Sequence, residues 1–339
     1  MSRWQDQWRM VSRQTPRRLW NHVQVQTSYY WSKWTGKPFH WGLPTAISIE
    51  PTTACNLGCP ECPSGLRQFT RRTGSLKQDF FRKVIDELAP TLSYLTFYFQ
   101  GEPYINPHFL KMVKYASDKG IYTATSTNGH FLNSAKAKET VESGLDRLII
   151  SVDGTTQETY SAYRINGSLD KVIQGTKNIL HWKKELKSAT PHVIFQFLVV
   201  RPNEHQIPEI QRLADDIGVD ELKLKTAQIY DYHQGSDLIP KQEKYSRYQK
   251  LQNGTYSIKN EMTNHCWKMW NSCVITWDGL VVPCCFDKDA THQLGDLKKQ
   301  NFKTMWQSPA YQNFRAAVLK SRSEIEICRN CTEGTKVWA

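Results

Sequence analysis

Between Glu50 and Gly65 the chain reads EPTTACNLGCPECPSG, which sets Cys55, Cys59 and Cys62 in C-x3-C-x2-C spacing. Thiolates are metal ligands, and in a reducing compartment cysteines grouped this tightly point to metal binding or catalysis rather than to disulfides. Three is an odd number for a structural zinc, which takes four ligands and draws its cysteines as C-x2-4-C pairs. Three thiolates can instead hold three irons of a [4Fe–4S] cluster and leave the fourth iron open to a non-protein ligand. The competing reading is a zinc ion completed by a remote His or Cys.

The remaining six cysteines, Cys266, Cys273, Cys284, Cys285, Cys328 and Cys331, all lie near the other end of the chain. The segment VITWDGLVVPC reads as a β-hairpin turning at Asp278-Gly279, a type I′ pair, and it ends on Cys284. Cys328 and Cys331 form a C-x2-C hook. With Cys266 these elements supply four thiolates, a set suited to a closed cluster or to zinc. Cys284 and Cys285 are adjacent, so only one of them should face a metal. Cys273, in the first hairpin strand, reads as a small core residue.

These groups need a scaffold. From residue 46 onward, short β-branched or aromatic runs alternate with helical periodicity. Strands are predicted at 46–52, 94–100, 122–127, 147–152, 193–200 and 221–228, and helices at 78–88, 109–119, 134–143, 169–186 and 206–217. Such alternation specifies parallel β/α units, and near-continuous apolar runs such as VIFQFLVV suit a buried parallel sheet. The fold class is α/β: a partial (β/α)6 TIM-like barrel or open sheet, with a small C-terminal β-hairpin plus helix extension for the second cysteine group. Function in such folds sits at the carboxyl ends of the strands. The cysteine triad, QGEP, STNG and SVDG all fall there.

The triad in a loop after the first strand of a β/α barrel resembles the radical S-adenosylmethionine (radical SAM) superfamily. That resemblance implies a SAM-binding [4Fe–4S] cluster on Cys55, Cys59 and Cys62, with SAM chelating the open iron and being cleaved to a 5′-deoxyadenosyl radical that abstracts hydrogen from substrate. It implies that Gly101, Glu102 and Pro103 receive the SAM amino group. Ser126 and Asn128 would approach its ribose and carboxylate, and Ser151 and Asp153 would complete the next strand end. One position departs from the family's pattern: the residue before the third cysteine is often aromatic or apolar there, and here it is Glu61, which must make a different contact.

The C-terminal region is similar to the SPASM/twitch extension found after some radical SAM domains. The resemblance implies an auxiliary [4Fe–4S] cluster on Cys266, Cys284, Cys328 and Cys331. An auxiliary cluster near substrate implies an oxidation, a dehydrogenation or cross-link in which the cluster accepts an electron, and such a reaction needs a base; Asp287 is the candidate. The alternatives are a peptide or protein maturase, a redox-neutral mutase or epimerase, and a non-catalytic Fe–S electron-transfer protein. A reductant such as flavodoxin or ferredoxin is implied, with a substrate the sequence does not name.

The 339 residues carry a net charge of +12, and the charge is uneven. Residues 1–41 hold seven Arg or Lys against one acid, Asp6, and six of the twelve tryptophans. Trp4, Trp8 and Val11 share one helical face, and after Pro16 apolar residues recur at three- and four-residue steps. Two amphipathic helices are expected here. They either pack as a hairpin on the main body, lie on an anionic membrane surface, or meet a partner protein. No recognition motif supports nucleic-acid binding. The expected organisation is a basic Trp-rich arm at 1–45, the barrel at 46–230, a polar linker or lid at 231–262 and the auxiliary-cluster region at 263–339. No secretory signal and no apolar run of spanning length is present, so the expected location is cytoplasmic, with the arm giving peripheral membrane contact as the alternative.

Overall fold

In the computed structural model, which describes residues 3–259 and 261–332, the chain opens with two helices, α1 (Arg3–Ser12) and α2 (Pro16–Thr35). Thr15 caps α2 by accepting from the Arg18 N–H, Pro16 occupies its first turn, and Gly36 at φ +70° ends it. The barrel then follows: β1 (Ala46–Ile49), α3 (Pro63–Leu66), α4 (Gln78–Leu88), β2 (Tyr94–Phe97), α5 (Phe109–Asp118), β3 (Tyr122–Thr127), α6 (Ser134–Glu142), β4 (Arg147–Ser151), α7 (Gln157–Tyr163), α8 (Leu169–Glu185), β5 (His192–Val199), α9 (Ile207–Ile217) and β6 (Glu221–Thr226). Beyond it lie β7 (Tyr248–Lys250), β8 (Tyr256–Ile258), α10 (Trp267–Asn271), β9 (Ser272–Ile275), β10 (Leu280–Val282), β11 (Gly295–Asp296), α11 (Phe302–Trp306), α12 (Pro309–Ser321) and α13 (Glu326–Arg329).

Strands β1 to β6 pair in parallel in chain order, as the β/α rhythm predicts. Ile47 and Ile49 of β1 are buried against the helical layer, while Ala46 and Ser48 are half-buried on the inner face. The β1 and β2 strands stop at Ile49 and Phe97, short of the predicted 52 and 100. At those points the backbone leaves the ladder to form the loops that carry the cysteines and the GEP motif. Helix α7 was not legible as a period, although a capping box at Thr156 and Thr159 marks its start.

The C-terminal strands do not form a detached unit. β9 pairs in parallel with β1 in the register Ala46↔Ser272 through Ile49↔Ile275, so the sheet has nine strands in the order β11-β10-β9-β1-β2-β3-β4-β5-β6. The β9–β10 hairpin exists, but not with the expected two-residue turn. Gly279 at φ +92° donates to Thr276 O, and Asp278 keeps a negative φ while accepting from the Thr276 hydroxyl at 2.6 Å. A type I turn followed by a left-handed glycine results.

The segment read as a linker or lid is packed. Tyr232 and Tyr248 stack at 4.5 Å, and with Ile229 and Ile239 they form a second apolar cluster that includes Leu57 and Cys59 of the cysteine loop. Its aromatics are irregularly spaced, which hid them from period-based reading.

The arm closes the amino-terminal end of the barrel. Asp6 bonds Tyr122 and Arg147, the first residues of β3 and β4. Arg13 lies 2.6 Å from Asp146, and Arg18 donates to the carbonyls of Ala89, Lys119 and Gly120. Further along, α2 packs on α10 through Tyr29, Trp267 and Trp270.

Candidate radical SAM and auxiliary cluster sites

The cysteine loop is fastened from outside. Gly58 N–H donates to Ile165 O at 2.9 Å, and Glu102 N–H to Ala54 O at 2.8 Å. Gly101 N–H donates to Ser64 Oγ at 2.8 Å. Gly101 has φ +73°, and a Cβ there would lie 2.2 Å from Thr52 O, so both backbone conformation and space require glycine. The GEP loop and the cysteine loop are therefore stitched together, with Pro103 starting a 3-10 turn behind Glu102.

Glu102 is buried. One oxygen accepts from Thr127 Oγ1 at 2.8 Å and from Tyr104 N–H at 3.3 Å, and the other accepts from Asn128 N–H at 2.8 Å. Burial pushes its carboxyl up to about 7, against those three donors. Asn128 passes the chain on: its amide donates to Asn56 Oδ1 at 2.7 Å and lies 3.9 Å from Cys55 Sγ. Asp153 accepts from Leu198 N–H at 2.7 Å and pairs with Arg164, whose Nη1 is 3.7 Å from Cys59 Sγ. The structure so connects Cys55, Cys59, Glu102, Asn128 and Asp153. Ser126 and Ser151 lie in β3 and β4, each two positions before Asn128 and Asp153. Arg164 and Thr127 were missed by sequence reading, since nothing in their spacing marks them. Glu61 accepts from Tyr230 N–H at 2.8 Å, which ties the 229–240 segment to the cysteine loop.

At the second site, burial pushes the Cys284 thiol well up, and the nearby Cys285, Cys266 and Cys331 add to the effect. Arg322 is 1% exposed, with Nη2 3.2 Å from Cys331 Sγ and Nη1 3.2 Å from His265 O. Burial works against its charge, but Cys266, Cys331 and Cys328 outweigh burial and hold the guanidinium above its usual range. A buried cation facing three thiols suits a ligand set that is anionic when loaded. Among the described residues no three His, Cys, Asp or Glu side chains gather tightly enough for a single metal ion. By their donor chemistry, three thiols at the first site and four at the second, both sets suit iron–sulfur clusters, and each has an arginine near one sulfur.

Cys285 lines the same cavity as Cys266 and Cys284. It packs with Phe99, Val274, Val282 and Ala290. Cys273 is buried in β9, as a core residue would be. Asp287 is buried, and its two oxygens accept from Thr291 N–H and Oγ1 at 2.8 Å and from His292 N–H at 2.9 Å. Its carboxylate clasps its own loop.

Tyr98, just past β2, is 47% exposed over its whole side chain, while burial around its hydroxyl pushes that group up to about 12, and Cys62 and Cys285 both contribute. Lys288 likewise feels both Cys62 and Cys285, and lies 4.4 Å from the Tyr230 ring. A cavity of about 330 Å³ runs from Ser48 and Thr96 inside the barrel to Cys266, Cys284 and Cys285.

Comparison with known proteins agrees with this geometry. The radical SAM superfamily model matches residues 49–214, and the SPASM iron–sulfur cluster-binding domain matches residues 266–332. The tungsten-containing aldehyde ferredoxin oxidoreductase cofactor-modifying protein of Pyrococcus furiosus is 28% identical over 301 residues, 79% of this chain and 82% of that one. The PqqA peptide cyclase of Bradyrhizobium diazoefficiens is 28% identical over 194 residues, 56% of this chain and 48% of that one. SuiB of Streptococcus suis, solved bound to its precursor peptide SuiA, superimposes with a TM-score of 0.62 at 11% identity over 86% of this chain and 72% of that one, a likeness of fold. The chain belongs to the radical SAM superfamily and carries a C-terminal SPASM iron–sulfur cluster-binding domain.

Proposed function

We propose that this enzyme oxidises a peptide or peptide-like substrate that carries a carboxylate, held in the space between its two cluster sites. The observation that carries the reading is the cavity of about 330 Å³ that runs along β1, the strand that ends in the cysteine loop, from Ser48 and Thr96 to Cys266 and Cys284. A substrate held there would lie against the second site and beside the strand that carries the first. Loaded with its clusters and SAM, such a site would supply a 5′-deoxyadenosyl radical to take one hydrogen atom and a one-electron acceptor for the substrate radical that remains, the accompanying proton leaving to water.

The protein's own part is positioning. Glu102, fixed by Thr127, Tyr104 and Asn128, presents a carboxylate for the SAM ammonium. Arg164 steadies Asp153 and Cys59 together. Lys268 lines the cavity, and the charges of Lys225, Arg247 and Lys288 act near its Cys285 end, which suits a substrate carboxylate. A peptide substrate is supported by the sequence likeness to a peptide cyclase and the fold likeness to an enzyme solved with its precursor peptide.

The test is anaerobic reconstitution followed by iron counting, dithionite-driven SAM cleavage, and mass spectrometry of acidic candidate peptides after turnover. About eight irons per chain, two [4Fe–4S] clusters, together with 5′-deoxyadenosine and a product lighter by two hydrogens support the proposal. A product of unchanged mass with inverted stereochemistry replaces it with the epimerase reading.

A further inference from the structure

The arm is turned inside out. Its polar groups, Asp6, Arg13, Arg18, Asn21, Ser28 and Ser32, face the protein, and each is hydrogen-bonded there. Its tryptophans face away. Trp4, Trp8, Trp20, Trp31, Trp34 and Trp41 are between 44% and 81% exposed, and among the described residues no tryptophan outside the arm is exposed. Val11 and Val23 continue the two helical stripes, at 54% and 49% exposure.

This is not a loose end of chain. Both helices are capped or pinned, and Asp6 and Arg18 are almost wholly buried. A firmly held surface that presents six indoles is a contact surface. Tryptophan is also the residue that settles at the boundary between water and lipid, with its ring in the apolar layer and its N–H toward the headgroups.

Charge selects the occupant. Arg3, Arg17, Lys33 and Lys37 are exposed around the stripes. The only carboxylate between residues 3 and 45 is Asp6, 1% exposed and bonded to Arg147. The exposed face of the arm therefore carries cations and no carboxylate, the complement of an anionic headgroup layer. No described helix is long and apolar enough to cross a membrane, so the arm would lie in the interface plane.

We propose that α1 and α2 dock the enzyme on an anionic membrane surface through Trp4, Trp8, Trp20 and Trp34. The arm packs on Tyr122 and Arg147, at the amino ends of β3 and β4. The cysteine loop leaves the opposite, carboxyl end of β1. Docking of α1 and the start of α2 thus turns the catalytic mouth away from the bilayer, toward water.

The experiment uses the full chain with both clusters reconstituted. Flotation is measured with neutral phosphatidylcholine vesicles and with vesicles containing about one-third phosphatidylglycerol, alongside quenching of tryptophan emission by brominated lipid. The expected results are flotation and quenching with the anionic vesicles only, weakened by salt. The triple variant W8S/W20S/W34S should lose binding at least about tenfold while keeping its iron content and SAM cleavage. Flotation independent of lipid charge overturns the proposal. So does an absence of flotation combined with a wild-type oligomer or protein complex that the triple variant dissolves, since the stripe would then cover protein.

Discussion

Tyr29 of the arm and His265, the residue before Cys266, are joined by a 3.0 Å hydrogen bond between Oη and Nδ1. The same tyrosine ring meets Trp267 and Trp270 edge-on at 5.2 and 5.6 Å. The helix that closes the barrel floor thereby also buttresses the auxiliary site. Tyr29→Phe keeps the ring and removes the bond. It should cost about 1 kcal/mol of stability and speed iron loss from the auxiliary site in air, with the Cys55 site unaffected. Thermal midpoints and timed iron release, resolved by Mössbauer spectra, check both.

Glu102→Gln keeps the shape but removes the charge offered to SAM and turns one of the two accepting oxygens into a donor. SAM affinity should fall by about tenfold or more, the value of one charged hydrogen bond. Iron content should stay at the wild-type level. Equilibrium dialysis with labelled SAM measures this, and unchanged affinity would show that the ammonium binds elsewhere.

Cys284 and Cys285 are separable by substitution. Cys284 lies near Cys266 and Cys331 as well as Cys285, and Cys285 packs with Phe99, Val274, Val282 and Ala290. C284S should lose about four irons per chain, and C285S should lose none. The reverse pattern would exchange their assignments.

Arg322 donates toward Cys331 from a buried position. Donors and positive charge at cluster sulfurs favour the reduced state. Arg322→Met should therefore shift the auxiliary potential tens of millivolts (roughly) in the negative direction, with R322K intermediate. EPR-monitored redox titration reads the shift directly, and a positive shift would contradict the assigned role.

His40 is held neutral. Nε2 donates to Trp270 O at 2.8 Å, Nδ1 accepts from Trp306 Nε1 at 3.3 Å, and burial pushes the pKa down to about 3. The unfolded chain binds this proton near pH 6.5, so the unfolded state gains protons first as the solution is acidified. The stability present above about pH 6.5 is lost as pH falls toward 3, by at most about 1.4 kcal/mol per unit. Between about pH 6.5 and 4.5 the wild-type midpoint should fall more steeply than that of His40→Gln, which keeps a donor and an acceptor.

The barrel was legible because its signals are local. Period-two runs and capped helices between residues 46 and 226 gave six strands and five helices in order, and the cysteine spacing gave the first site. What sequence did not reveal depends on contacts far apart in the chain. Arg164 meets Cys59 across 105 positions, and Arg322 gains its meaning only when the C-x2-C hook folds back on it. Asp287 looked like a proton acceptor by position, and only the three-dimensional loop shows Thr291 and His292 occupying it. The arm's amphipathic period was correctly visible, but period alone cannot say which face turns inward. Asp6 and Arg13 reverse the usual choice because Arg147 and Asp146 await them at the barrel floor.

The pairing of β9 with β1 has a mechanical meaning. The cysteine loop springs from the end of β1, and the hairpin that reaches Cys284 springs from β9, so a hydrogen-bonded ladder and not a hinge lies between them. Sliding one strand past the other by two residues would move its end about 6.6 Å, and a one-residue slip would also turn every side chain over. The separation of the two centres is thus graduated in peptide units. Insertions in the loops leave that ruler intact, while a single deletion within Ala46–Ile49 or Ser272–Ile275 recalibrates it.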